Sequence, residues 1–189
     1  AHNNLGNVFR ELEQLDSAIN CYKKAIEINP QYIEAHYSLG LTFQDLTQLK
    51  DAVKSYKIVL EIKPDFTGMH NNLGNVYREL GQLNDAISSY KKAISIKPDF
   101  AEAYYNLGIL YQEFCQPNAA IKSYKDAIAI KSDYAEAHNN LGVVFKEIGK
   151  LDEAIESHKS AFFLKPDYAE AYNNLGIIFD TLNQFENAI

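Results

Sequence analysis

Two columns of side chains in this 189-residue chain could do chemistry, and they become visible once the chain is written in blocks of 34 residues beginning at Ala1, Ala35, Met69, Ala103, Ala137 and Ala171. The second position of the blocks reads His2, His36, His70, Tyr104, His138, Tyr172. A ladder of imidazoles would suggest metal ligation. Zinc, however, needs its ligands about 2 Å from one centre, and adjacent packed helices stand ~8–10 Å apart. Tyr104 and Tyr172 share the column, so the slot asks for a flat, half-polar ring, and no metal or other cofactor is expected. The fourth position reads Asn4, Ser38, Asn72, Asn106, Asn140, Asn174. Asn is a poor helix former, and this column lies off the apolar stripe. A primary amide offers donors and an acceptor together, which matches the alternating groups of an extended peptide backbone. The column therefore reads as a ladder that clamps a peptide. The alternative is that each amide bonds the neighbouring block's backbone and fixes stacking, since buried polar groups usually find a local partner.

A second set lies at i, i+4, i+7 on the same segments: Asn3, Asn7 and Arg10, repeated as Asn71, Asn75 and Arg78. Helical spacing puts these opposite the Leu5, Val8, Phe9, Leu12 stripe. Blocks two and four carry Tyr37, Leu41, Gln44 and Tyr105, Ile109, Gln112 instead. The expected surface thus alternates polar and aromatic–aliphatic patches, with Tyr37 and Tyr105 as amphipathic anchors. Catalytic motifs are not found. Gly149-Lys150 lacks the upstream spacing and the following Ser or Thr of a phosphate loop, and neither His-Glu-x-x-His nor Gly-x-Ser-x-Gly occurs. This chain is not expected to be an enzyme by itself.

The elements that position these columns follow from the period. Residues 1–34 and 69–102 agree at 22 of 34 positions. Leu5 and Gly6 recur in all six blocks, followed by an aromatic at Phe9, Phe43, Tyr77, Tyr111, Phe145 and Phe179. Ala18 recurs through Ala188, then Tyr22, Tyr56, Tyr90, Tyr124 and His158, and Pro30, Pro64, Pro98 and Pro166. Each block reads as two helices, the second carrying Ala18, Ile19, Tyr22, Ala25 and Ile26 on one face. Gly81 or Gly149 marks the break, with Asp16, Asn84 or Asp152 as helix starts. Asp99 to Glu102, Asp133 to Glu136 and Asp167 to Glu170 resemble capping boxes. Gly inside a helix costs ~0.5–1 kcal/mol, so six such positions imply close helix approach at Gly6 and its equivalents. One pair cannot bury its own faces, and stacking is obligatory. Pro117 should sharpen its turn, Ser132 should loosen the passage to the fifth block, and Phe162-Phe163 puts a second ring where Glu27 sits.

The run His2-x2-Leu5-Gly6-x2-Phe9…Ala18-x3-Tyr22…Pro30 resembles the tetratricopeptide repeat family, over the whole chain. The resemblance implies an all-α, right-handed α–α superhelix of helix-turn-helix repeats. As one array it divides into 1–34, 35–68, 69–102, 103–136, 137–170 and a partial repeat at 171–189. The first helices would line a concave groove for an extended peptide or protein ligand. Members that dock chaperone C-termini use a basic carboxylate clamp. Here Glu34, Gly68, Glu102, Glu136 and Glu170 stand at the groove mouth, so no such docking is expected. The wording "AHNNLGNV" and "PDFAEAYYNLG" also looks like the repeats of O-linked N-acetylglucosamine transferases, which implies, as the alternative, a substrate-recruiting arm whose catalytic domain lies outside this chain.

Bulk properties agree with a binding scaffold. Apolar residues make up 47% and the formal charge is −7. That argues against nucleic acid, which favours clustered Lys and Arg. No apolar run approaches the ~18 residues of a membrane span. Two cysteines, Cys21 and Cys115, form no disulfide framework and suit a reducing, cytoplasmic setting. The chain begins inside a helix and stops early in another, so it is expected to be a segment of a larger protein, with self-association through uncapped ends as a further possibility.

Overall fold

The computed structural model describes residues 1–186, with side chains to Leu182. Ala188 and Ile189, the last members of their columns, lie outside the described residues. Two compact units divide at Lys97 and Pro98. The first holds α1 (His2–Glu11), α2 (Leu15–Ile28), α3 (Ile33–Asp45), α4 (Leu49–Ile62), α5 (Thr67–Glu79) and α6 (Leu83–Ile96). The second holds α7 (Ala101–Glu113), α8 (Pro117–Ile130), α9 (Ala135–Glu147), α10 (Leu151–Leu164) and α11 (Ala169–Glu186). Within each unit the helices form antiparallel pairs, and the second helix of one pair lies against the first helix of the next. The 34-residue period reappears in the starts of α2, α4, α6, α8 and α10. In the first unit Ala18, Ile19, Tyr22 and Leu39 form a buried cluster between pairs. In the second, Ala120, Tyr124, Leu141, Val144, Phe145 and Ala154 do the same with Ile178. The partial sixth block has no break at the column of Gly81 and Gly149: α11 runs on through Glu186.

The core slot of each pair is a ring laid on a glycine. Tyr22, Tyr56, Tyr90, Tyr124 and His158 are each 0% exposed. A Cβ on Gly74 would stand 2.5 Å from Tyr90 Cε1, and one on Gly108 2.6 Å from Tyr124 Cε1. Gly6, Gly40, Gly74, Gly108 and Gly142 are glycines because the ring occupies the place of a methyl group.

Every turn inside a pair ends its first helix in the same way. Glu13, Thr47, Gly81, Cys115 and Gly149 all have left-handed φ values, 58°, 57°, 69°, 53° and 76°. Gln14 N donates to Phe9 O at 2.8 Å and Glu13 N to Arg10 O at 3.0 Å, the two bonds of a Schellman closure. The same two bonds recur in the other four turns, down to Lys150 N to Phe145 O at 2.9 Å. Three of the five turns thus hold a non-glycine residue where left-handed backbone costs ~1–2 kcal/mol. Thr47, being β-branched, is the most strained. Thr47→Gly is expected to raise stability by about 1 kcal/mol, after Gly's own entropic cost, and Gly149→Thr to lose a similar amount. Urea-unfolding midpoints check both, and a Thr47→Gly midpoint below the parent's would reject the strain account.

The helix starts differ from the sequence expectation. Asp16 and Asp152 are not caps but lie in the first turns of α2 and α10, where their charge faces the positive end of the helix dipole. Asn84 likewise follows Leu83, the first residue of α6. The expected Asp caps at Asp99 and Asp133 are also displaced: Phe100 and Tyr134 take the cap positions, without side-chain cap bonds. Backbone bonds such as Tyr134 N to Lys131 O at 3.2 Å already close the loop. Pro117 does not sharpen its turn. It occupies the first helical position of α8, where a missing N–H costs nothing. Ser132 does not lengthen its connection: α8 ends at Ile130 and α9 starts at Ala135, the spacing seen between α10 and α11.

Candidate functional site

In the first unit, Asn7, Arg10, Glu11 and Glu13 meet Tyr37, Ser38, Leu41 and Asp45 around a cleft of about 790 Å³, with Leu15 at its edge. It lies between the first helices of adjacent repeats. Arg10 Nε donates to Asp45 Oδ2 at 2.7 Å. The hydrogen bond to Asp45 raises the Arg10 pKa, so the guanidinium stays charged and joins α1 to α3. Both side chains are more than a third exposed, so the bridge fixes geometry more than it adds stability. Three sequence-predicted residues, Asn7, Arg10 and Tyr37, therefore share one cleft.

The alternation between blocks has a hydrogen-bonding cause. Tyr22 Oη donates to Asn7 Oδ1 at 2.9 Å and Tyr90 Oη to Asn75 Oδ1 at 2.7 Å. Where the Asn position is Leu41 or Ile109, the acceptor moves one turn along: Tyr56 Oη donates to Gln44 Oε1, and Tyr124 Oη to Gln112 Oε1 at 2.9 Å. Block five has Val143 and Lys146 at these two positions, and its ring is His158, whose Nδ1 meets Asn139 Oδ1 at 3.0 Å. Burial raises the Tyr56 and Tyr124 pKa values, so these hydroxyls act as neutral donors. Asn7 and Asn75 thus serve the fold as well as the surface on which the sequence places them. Asn7→Leu is expected to strand the Tyr22 hydroxyl at a cost of about 1 kcal/mol. Adding Arg10→Gln, which copies block two, is expected to recover most of it. Unfolding midpoints of both variants test this, and no recovery in the double variant would refute the shared-acceptor account.

Burial separates the remaining candidates. Asn3 and Asn71 do not lie on an exposed face opposite the stripe: they are 6% and 1% exposed. A first helix is covered by its own second helix and by the pair beside it, so two of its sides are interior. In the fourth-position column Asn4 is exposed, Asn72 and Asn140 are half-buried, and Asn106 and Asn174 are buried. Asn174 Nδ2 donates to Asn139 Oδ1 at 3.3 Å, and Asn140 Nδ2 to Tyr105 Oη at 3.2 Å. These bonds join neighbouring repeats through side chains, not through the backbone contact of the stacking alternative. Arg78 lies with Asn75 on α5 of the first unit.

In the second unit Tyr105 is the centre of an aromatic patch. Its ring centroid is 4.8 Å from that of Tyr134 and 5.9 Å from that of Tyr124. Burial pushes Tyr134 upward, with Tyr105, Glu102 and Glu136 adding to it. Tyr168 is pushed up to about 12, chiefly by burial and then by Glu170. Gln112 Nε2 reaches Glu147 Oε1 at 3.4 Å, the same step to the next repeat that Arg10 makes to Asp45. Sequence reasoning missed the acidic lining. Its signal was an eleventh-position column that reads Glu11, Asp45, Glu79, Glu113, Glu147.

The histidine column has backbone partners. His36 and His70 Nε2 lie 2.9 Å from the carbonyls of Pro30 and Pro64, and His138 Nε2 3.2 Å from that of Ser132. Among the described residues no group of His, Cys, Asp and Glu is placed to hold a metal ion, and no helix is long and apolar enough to cross a membrane.

Helix pairs of this length, joined by repeated closures and stacked through a ring-on-glycine slot, define an α-solenoid repeat protein. Family profiles described as TPR repeat match residues 6–46, 74–113, 116–149 and 144–183, and a tetratricopeptide repeat profile matches 33–66. The chain belongs to the tetratricopeptide repeat family. Among solved structures it is similar to MamA, at 28% identity over 87% of this chain and 96% of that one, with a TM-score of 0.78. It is also similar to TTC0263 from Thermus thermophilus, at 25% identity over 94% and 97% of the two chains, with a TM-score of 0.69. YrrB, described as a TPR protein with an unusual peptide-binding site, shares the fold at 21% identity over 91% and 89%, with a TM-score of 0.72. No curated protein matches the chain. These relations do not support the likeness to glycosyltransferase repeats, and no catalytic family is indicated.

Proposed function

We propose that this protein is a non-catalytic scaffold that binds an extended peptide or protein segment along the first helices of its repeats. The proposal takes residues 1–189 as one tandem array. The observation that carries it is the cleft between α1 and α3, where polar and aliphatic side chains face one space of about 790 Å³. Tyr22 occupies the Asn7 oxygen, so the amide that lines this cleft has its Nδ2 protons left to offer. These suit the carbonyls of an extended chain, while Tyr37 and Leu41 supply the apolar contact that anchors require. The ladder Asn4, Asn72, Asn106, Asn140 and Asn174 contributes through its exposed and half-buried members. Shared fold with a peptide-binding protein, YrrB, supports the class of use.

Leu41→Arg tests the scaffold reading, because it puts bulk and charge into the cleft from a half-buried position. Against the tightest binders from an array of random synthetic peptides, it is expected to weaken binding at least about tenfold, the effect of losing one anchor, with the melting temperature unchanged. Equal affinity for the variant and the parent would overturn the placement of the groove.

A further inference from the structure

One kind of slot is found in both units and differs between them. It is formed by successive second helices over the first helix between them. In the first unit its walls are α2 and α4, its floor holds Leu39 and Phe43, and its volume is about 340 Å³. In the second unit its walls are α8 and α10, its floor holds Leu141 and Phe145, and its volume is about 770 Å³. The backbone positions correspond, so side chains account for the difference. Glu27 of the smaller slot is matched by Ala129, Ile58 by Ser160, and Lys54 by Glu156. Two truncations open the groove, and Glu156 in place of a lysine helps turn a balanced lining acidic. The smaller slot balances Lys23 and Lys54 against Glu27 and Asp51. The larger sets Lys125 against Asp152, Glu153 and Glu156. Lys150 and Lys159 hold Glu153 and Glu156 at 3.6 and 3.0 Å in exposed i,i+3 pairs, which are weak enough for an incoming cation to displace.

The opened groove also continues. His138 and Ser160 line both it and an adjoining hollow of about 420 Å³ that ends at Phe163 and Leu164. Phe163 is 83% exposed, in a column that elsewhere reads Glu27, Glu61, Ser95 and Ala129. The result is a trough with Leu141 and Phe145 on its floor, acidic residues along one wall and an exposed ring at its end.

We propose that the α8–α10 groove is a second docking surface, separate from the cleft of the first helices, and that it takes a basic segment of a partner protein carrying an apolar anchor. The anchor lies on Leu141, Phe145 and Ile128, and the basic side chains meet Asp152, Glu153 and Glu156. An anionic membrane surface is repelled by the same carboxylates.

The test uses a fluorescein-labelled synthetic peptide of alternating lysine and leucine, and a counterpart with glutamate for lysine, by fluorescence anisotropy. The double variant Ala129→Glu with Ser160→Ile restores the side chains of the smaller slot. It is expected to keep the parent's melting temperature and weaken the lysine–leucine peptide at least about tenfold. Glu156→Lys is expected to weaken it in the same direction. In amide-resolved NMR the peptide should shift Ile128 and Leu141 signals, and the refilled variant should lose those shifts. No binding of the lysine–leucine peptide, equal binding of the glutamate peptide, or full binding to the refilled variant would each overturn the proposal.

Discussion

Gly108→Ala is expected to destabilise the protein by about 3 kcal/mol, near the upper end of the range for overpacking a core. On an isolated helix the same change would help, since Ala is the better helix former by ~1 kcal/mol. Geometry decides the sign. The added Cβ would stand 2.6 Å from Tyr124 Cε1 and 2.7 Å from Cδ1, well inside ordinary contact. Tyr124 cannot swing away, because it is 0% exposed and its hydroxyl is tied to Gln112 at 2.9 Å. Either the ring shifts and breaks that bond, at ~1 kcal/mol, or α7 moves off α8. Gly176 provides the internal contrast, with nothing among the described residues within 4 Å of its Cβ position, so Gly176→Ala should gain about 0.5–1 kcal/mol. Urea unfolding followed by circular dichroism reads both. A Tyr124→Leu background should remove most of the Gly108→Ala penalty. If the penalty persists there, the ring is not its cause.

The ring-on-glycine slot explains which parts of the molecule were legible. Leu5-Gly6 and Tyr22 recur at one spacing, and the period carries the helix starts from Leu15 to Leu151 with it. What escaped the sequence was contact between helices. Asn7 and Arg10 share a face with Asn3 on a helical wheel, but a wheel treats a helix as covered on one side. In a stacked pair Asn3 is covered and Asn7 is not, because the second helix and the next repeat close different sectors. The reason for the Asn7 or Gln44 choice lies 15 or 12 residues further on, at a tyrosine hydroxyl. Capping was misplaced for a related reason. Asp99 and Asp133 have suitable chemistry, but backbone bonds and the aromatic residue that follows had already settled the loop.

His158 is where that tyrosine slot becomes sensitive to acid. Burial, with Lys146 nearby, lowers its pKa from 6.5 to about 4. Its Nδ1 donates to Asn139 Oδ1, so protonation would place a proton on Nε2, which is buried and has no partner among the described residues. Asn139 in turn donates to Glu170 at 3.1 Å and accepts from Asn174 at 3.3 Å, so the ring holds α9, α10 and α11 together. The folded pKa lies below the unfolded value, so the folded state binds fewer protons between them. The contribution of His158 is therefore fully present above pH 6.5, declines as pH falls toward 4, and changes no further below that. At ~1.4 kcal/mol for each tenfold loss of proton affinity, the destabilisation is no more than about 3–4 kcal/mol. Carboxylates titrate at the lower end of this window, so the diagnostic quantity is a difference between proteins. His158→Phe keeps a ring over Gly142 and cannot be protonated. Its unfolding free energy is expected to vary less with pH than the parent's between 6.5 and 4, with the two curves parallel above 7. Curves that stay parallel throughout would show that His158 titrates normally in the folded protein, and that its place on Gly142 is as open to protons as a surface site.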